Sequence, residues 1–166
     1  MRHFLFKFGR MAKLSQLWKS RIFMAQISRS ALVMYSCQQM FDLVNDIPAY
    51  PEFIPNCADA KCQALSAQEL QGSLLINKAG ISKWFTTRNR LVSAQEIDMH
   101  LVNGPFKHLT GQWRFTPLDD SACKVELNLD FEFSSKVIEM AFGKIFNQVC
   151  ANMVSAFTQR AKQIYG

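Results

Sequence analysis

The last thirty-odd residues constrain this chain most. The stretch 135-SKVIEMAFGKIFNQVCANMVSAFTQRAKQIYG-166 contains no proline, and only Gly143 interrupts it before the terminal Gly166. Val137, Ala141, Ile145, Val149, Met153, Phe157 and Ala161 recur at helical spacing, with Ile138, Phe142 and Phe146 beside them. That is a broad one-sided apolar stripe. The spacing predicts a helix from about Ser135 to Tyr165, capped by Ser134 or Ser135 and about 45 Å long at 1.5 Å per residue. Such a helix needs an equally long apolar partner, which the rest of the chain must supply.

What the rest supplies is mostly strands. From Gln26 to Met34, Ile27, Ala31 and Val33 alternate with other residues as in a half-buried strand. Ser36-x-x-Gln39 then reads as a capping box, and Met40, Phe41 and Val44 form a short helical stripe that ends before Pro48. In 49-AYPEFIPNC-57 a helical turn places Tyr50, Phe53 and Ile54 between prolines. Six more strands follow, at about 58–66, 69–78, 82–92, 96–102, within 104-GPFKHLTGQWRF-115, and at 122–133. The last has the cleanest period of two, Cys123 to Phe133 against Lys124 to Glu132. Short turns between successive strands imply an antiparallel meander. The expected class is therefore α+β: a curved antiparallel sheet wrapped round a long C-terminal helix, with short helices after the first strand.

The net charge of +6 is unevenly placed. Arg2, Lys7, Arg10, Lys13, Lys19 and Arg21 give residues 1–23 six cations and no acid, leaving thirteen cations against thirteen acids in the remainder. Residues 1–23 read as a basic extension, either a targeting or surface-binding segment or the product of an upstream start, with the folded domain over 24–166. No run of about 18 apolar residues would span a bilayer. Five cysteines, odd in number and without CxxC spacing, suit free thiols in a reducing compartment better than disulfides or zinc. We expect a cytoplasmic monomer, with no metal, no covalent cofactor and no DNA partner for its neutral body.

Neither GxSxG, HExxH, a P-loop nor GxGxxG occurs, and no catalytic residue is nominated. Lys78, Lys83, Arg88 and Arg90, beside Trp84, offer a basic strand surface for phosphates and a stacked base; an ordinary solvated face reads the same way. Thr87 and Asn89 break the otherwise apolar row of Phe85 and Leu91. Polar groups there need hydrogen-bond partners, from a ligand, from water or from a filled core. The residues alone leave ligand chamber and filled core both open.

The strings 49-AYPEFIPNC-57, 79-AGISKWFTTRN-89, 104-GPFKHLTGQWRF-115 and 129-LDFEFSSKVIEMAFGKIF-146, in this order, resemble the START-like, helix-grip superfamily. The similarity is to its coenzyme Q-binding and RatA-type ribosome association toxin branch and covers about residues 25–164. It implies a non-enzymatic domain that binds ubiquinone or a similar isoprenoid lipid in an internal cavity and supports respiration. It equally implies a toxin that binds the large ribosomal subunit and blocks subunit joining. By motif position, Phe53, Phe85, Leu101, Leu109, Trp113, Phe131, Phe142 and Phe146 would form the cavity wall, with Lys107 at its mouth. Lys78, Lys83, Arg88 and Arg90 would be ribosome contacts, and a lipid carrier of this kind would touch the inner membrane peripherally.

Overall fold

Residues 24–166 are described by the computed structural model; the expectations for residues 1–23 lie outside them. β1 (Ala25–Val33) leads into α1 (Cys37–Asn45) and a 3₁₀ helix (Ile47–Glu52). The chain then forms β2 (Cys57–Ala64), β3 (Glu69–Lys78), β4 (Ile81–Val92), β5 (Glu96–Asn103), β6 (Phe106–Asp119), β7 (Ala122–Phe133) and α2 (Lys136–Tyr165). The seven strands form one sheet in the order β1-β7-β6-β5-β4-β3-β2, every neighbouring pair antiparallel. The meander therefore runs from β2 to β7, and β1 closes it by pairing with β7, from Ala25 opposite Phe131 to Val33 opposite Cys123.

Local chemistry accounts for the element ends. The Ser36 hydroxyl accepts from the Gln39 N–H while the Gln39 side chain accepts from the Ser36 N–H, closing the capping box that starts α1. Ser135 caps α2 through the Ile138 N–H at 3.2 Å. Ala79 (φ 52°) and Gly80 (φ 79°) both adopt the left-handed conformation that a two-residue hairpin between β3 and β4 requires. The alternation of β7 is realised as written: Cys123, Val125, Leu127, Leu129, Phe131 and Phe133 are all buried.

The long helix lies in the concavity of the sheet, with its backbone nearest β1 and β7 and standing off from β3 to β5. Its buried row is Phe142, Phe146, Val149, Cys150, Met153, Phe157 and Ala161. The expected stripe departs from this at its start, where Val137 is 74% exposed and Ala141 is also exposed. Residues four apart advance 400° round a helix, so an i, i+4 row drifts about 40° per step and cannot stay on one face through the six steps from Val137 to Ala161. None of the helices among the described residues is long and apolar enough to cross a membrane.

Candidate functional site

Two groups of aromatic rings hold the helix against the sheet. Near the start of α2, Phe146 meets Phe106 at 4.8 Å, Phe131 at 4.9 Å and Phe85 at 5.5 Å between ring centroids. Eleven residues later, about 16 Å along the axis, Phe157 meets Tyr50 at 5.2 Å, Phe53 at 5.1 Å and Trp113 at 5.3 Å. Between these groups α2 offers only Cys150 and Met153, and the facing strands offer Gly72, Thr87 and Asn89. Small and polar side chains opposite one another leave a void of about 60 Å³. Ile47 and Tyr50 close it from below, and Met99, Leu109, Trp113, Leu127 and Leu129 line it from β5 to β7.

The glycines beside the void serve neighbouring side chains. A Cβ on Gly111 would lie 2.5 Å from Leu129 Cδ2 and 2.6 Å from Met99 Cε. One on Gly72 would lie 2.6 Å from Ile47 Cδ1. The space opposite Gly111 is thus occupied by a leucine and a methionine.

Among the described residues, no Asp, Glu, Lys or Arg side chain lines the void. Burial pushes the Tyr50 hydroxyl far above its ordinary range, with minor help from Cys57, Cys62 and Asp46. Its proton goes to the Val44 carbonyl, near the end of α1. Burial likewise raises the Cys150 thiol. The remaining polar groups are Thr87 and Asn89, whose side chains bond each other at 2.8 Å. Among the described residues, no group of three or more His, Cys, Asp or Glu side chains is arranged to hold a metal ion.

Of the residues named as cavity wall, Phe85, Leu109, Trp113 and Phe146 line this void. Phe131 and Phe142 are fully buried in the ring cluster behind it, and Phe53 packs on Tyr50 and Phe157. Leu101, opposite Thr87 on β5, is half-buried at the edge of the wall. Met99 shares its row, and Cys150 and Met153 follow Phe146 by four and seven residues, so strand parity and helix phase carried the signal for all three.

Lys107 projects from the outside of β6 to Glu132 on β7, 3.5 Å away, in a separate shallow groove that also includes Glu139. It is not at the mouth of the main chamber. The other four cations divide into two pairs. Arg88 and Arg90 are exposed on the outer face, bound to Glu69 at 2.9 Å and Asp98 at 2.8 Å. The Arg90 guanidinium, with Gln112, holds the Asp98 carboxyl below the usual carboxylate range. Trp84 shares that face, with Lys61 4.9 Å from its ring. Lys83 instead follows the inward parity of Phe85 and pairs opposite the buried Ile76, and Lys78 bonds Gln148 of α2.

A family model described as polyketide cyclase/dehydrase and lipid transport matches residues 33–158. The ribosome association toxin RatA of Vibrio cholerae is 59% identical over 143 residues, covering 86% of this chain and 99% of that protein. A mitochondrial coenzyme Q-binding protein, COQ10 homolog B of Xenopus laevis, is 26% identical over 145 residues, covering 85% of this chain and 59% of the relative. Among solved structures, the Zhui aromatase/cyclase from Streptomyces sp. R1128 superposes with a TM-score of 0.75 at 16% identity. That likeness covers 86% of this chain and 96% of the cyclase, and it bears on the fold alone.

Proposed function

This chain belongs to the polyketide cyclase/dehydrase and lipid transport family, on the branch of the RatA ribosome association toxins; from that premise we propose that it binds a quinone or similar isoprenoid lipid in its chamber, without catalysis, and serves respiration as a carrier. The observation that carries the reading is the uncharged apolar void between the two ring clusters. The name of the coenzyme Q-binding relative supplies the ligand class.

The void is smaller than the roughly 150 Å³ of an apolar cavity that takes up benzene, so a ring must enlarge it on entry. Met99 and Met153, both in the wall, are the side chains best able to repack, being unbranched and flexible. Leu74, Phe85 and Leu101 are half-buried on the inner faces of β3 to β5, where α2 stands off, and they offer an apolar path for a tail. The chamber's Tyr50 and Cys150 are held protonated, which supplies no general base.

Lipid extraction and mass spectrometry of the purified protein should recover a quinone or isoprenoid, chemically unaltered after incubation. Titration with a short-tailed ubiquinone should quench Trp113 fluorescence saturably, an effect lost in Trp113→Phe. No extracted lipid and no quinone-dependent change would sink the carrier reading; an altered product would sink the non-enzymatic part.

A second reading uses the outside of the same fold. The name of the 59%-identical relative points to ribosome association, and we propose the outer face around Trp84, Arg88 and Arg90 as the contact. Added protein should raise free subunits at the expense of joined ribosomes in sucrose gradients. Charge reversal at Arg88 and Arg90 should abolish this, and reversal at Lys78 and Lys83 should not. The opposite pattern would move the contact to the edge of the chamber.

A further inference from the structure

The polar pair Thr87 and Asn89 in the chamber wall allows the ligand class to be narrowed, on the premise that the chamber takes an apolar ligand. Asn89 is 6% exposed and Thr87 7%. Both belong to the inward row of β4, and Asn89 sits between Leu70 on β3 and Met99 on β5, neighbours with no strong acceptor. The Thr87 hydroxyl donates to Asn89 Oδ1 at 2.8 Å. An amide has one acceptor oxygen with two lone pairs and two N–H donors, so this bond takes one lone pair of the oxygen and orients the amide. Among the described residues no acceptor is hydrogen-bonded to Nδ2, and Asn89 lines the void. Nδ2 is not sealed off by its neighbours, since among those residues the fully enclosed side-chain polar atom without a partner is Asn45 Nδ2. The Tyr50 hydroxyl is committed to the Val44 carbonyl and is not an alternative donor. A donor that faces a largely apolar void gains a hydrogen bond from whatever brings an acceptor into it.

We propose that Asn89 is the head-group donor of the chamber, its Nδ2 hydrogen-bonding a carbonyl oxygen of the ligand, and that Thr87 is a positioning residue holding the amide in that orientation. The ligand is then a neutral, apolar-bodied molecule carrying a carbonyl, as a quinone ring does. A plain hydrocarbon leaves the donor unpaired. An ionised fatty acid or phospholipid head group would enter without a counter-charge, since no cation among the described residues lines the void.

Calorimetric titration of the full chain with decyl-1,4-benzoquinone and with decylbenzene tests this, because the two share a tail and a six-membered ring and only the first carries carbonyls. Wild type should bind the quinone at least about tenfold more tightly, the scale of one buried hydrogen bond. Asn89→Leu should bring the two affinities together by weakening the quinone alone, and Thr87→Val should give a smaller loss. In isotope-edited infrared spectra, a labelled quinone carbonyl should shift to lower frequency in wild type and move back in Thr87→Val, which a merely structural role for Thr87 would not produce. Equal binding of both ligands to wild type, or an unshifted carbonyl, overturns the donor assignment while leaving the chamber reading intact. Binding of neither ligand overturns both. The infrared measurement on wild type stands even if Asn89→Leu does not fold.

Discussion

At the scale of single residues, two glycines with positive φ show how backbone strain and side-chain space combine. Gly80 (φ 79°) sits in the β3–β4 hairpin, where an added Cβ would meet nothing within 4 Å. Gly104 (φ 149°) opens the turn into β6, and a Cβ there would lie 2.7 Å from Phe85 Cβ and 3.2 Å from Phe85 Cα. The first position carries only the conformational penalty of an L residue, about 1 kcal/mol. The second adds a clash with backbone that flexing a side chain cannot relieve, for a total of about 3 kcal/mol. Urea denaturation should therefore show a far larger fall in midpoint for Gly104→Ala than for Gly80→Ala. Equal losses would mean that the Phe85 contact is not what fixes Gly104. The strained turn also ties β6 to Phe85, the aromatic at the edge of the chamber, so stability and chamber shape share a residue.

At the scale of elements, legibility followed the physics of each periodicity. β7 was readable almost to the residue because a strand's period of two does not drift, and its buried set from Cys123 to Phe133 matches the alternation. The short helix α1 was equally plain, since Ser36 and Gln39 form a reciprocal cap that is local in sequence. The long helix was readable in extent but not in phase at its start: Val137 and Met140, at 74% and 81% exposed, precede the point where α2 meets the sheet. The inward row of β4 was likewise correct in parity, which brought Thr87 and Asn89 to notice. Parity could not say whether they met water, each other or a ligand, because that depends on the spacing between β4 and a helix sixty residues away. Phe53, Phe131 and Phe142 show the same limit. Their inward direction is a local property, but whether an inward ring lines a void or packs behind it is set by the neighbours it meets across the core. The cations divided for a related reason, since Lys83 follows the parity of Phe85 and not that of Arg88.

At the scale of the whole molecule, α2 is clamped at two places and loosely backed between them, so the chamber opens only if one ring cluster yields. Cys150 reports on this opening. It lies on α2 between the clusters, 3% exposed, and burial raises its thiol, so alkylation at neutral pH requires the helix to move off the sheet. Cys62, exposed on β2, gives an internal reference in the same molecule. Maleimide labelling followed by mass spectrometry should modify Cys62 early and Cys150 slowly. If the ligand occupies the chamber, it stabilises the closed form by mass action, and at ten times its Kd the labelling of Cys150 should slow by about tenfold. Cys62 should be unaffected. Labelling of Cys150 as fast as Cys62 would mean that the clusters do not clamp the helix. Slow labelling that ignores added quinone would place any bound quinone elsewhere on the molecule, because a ligand filling the space beside Met153 and Asn89 cannot leave the thiol between them equally accessible.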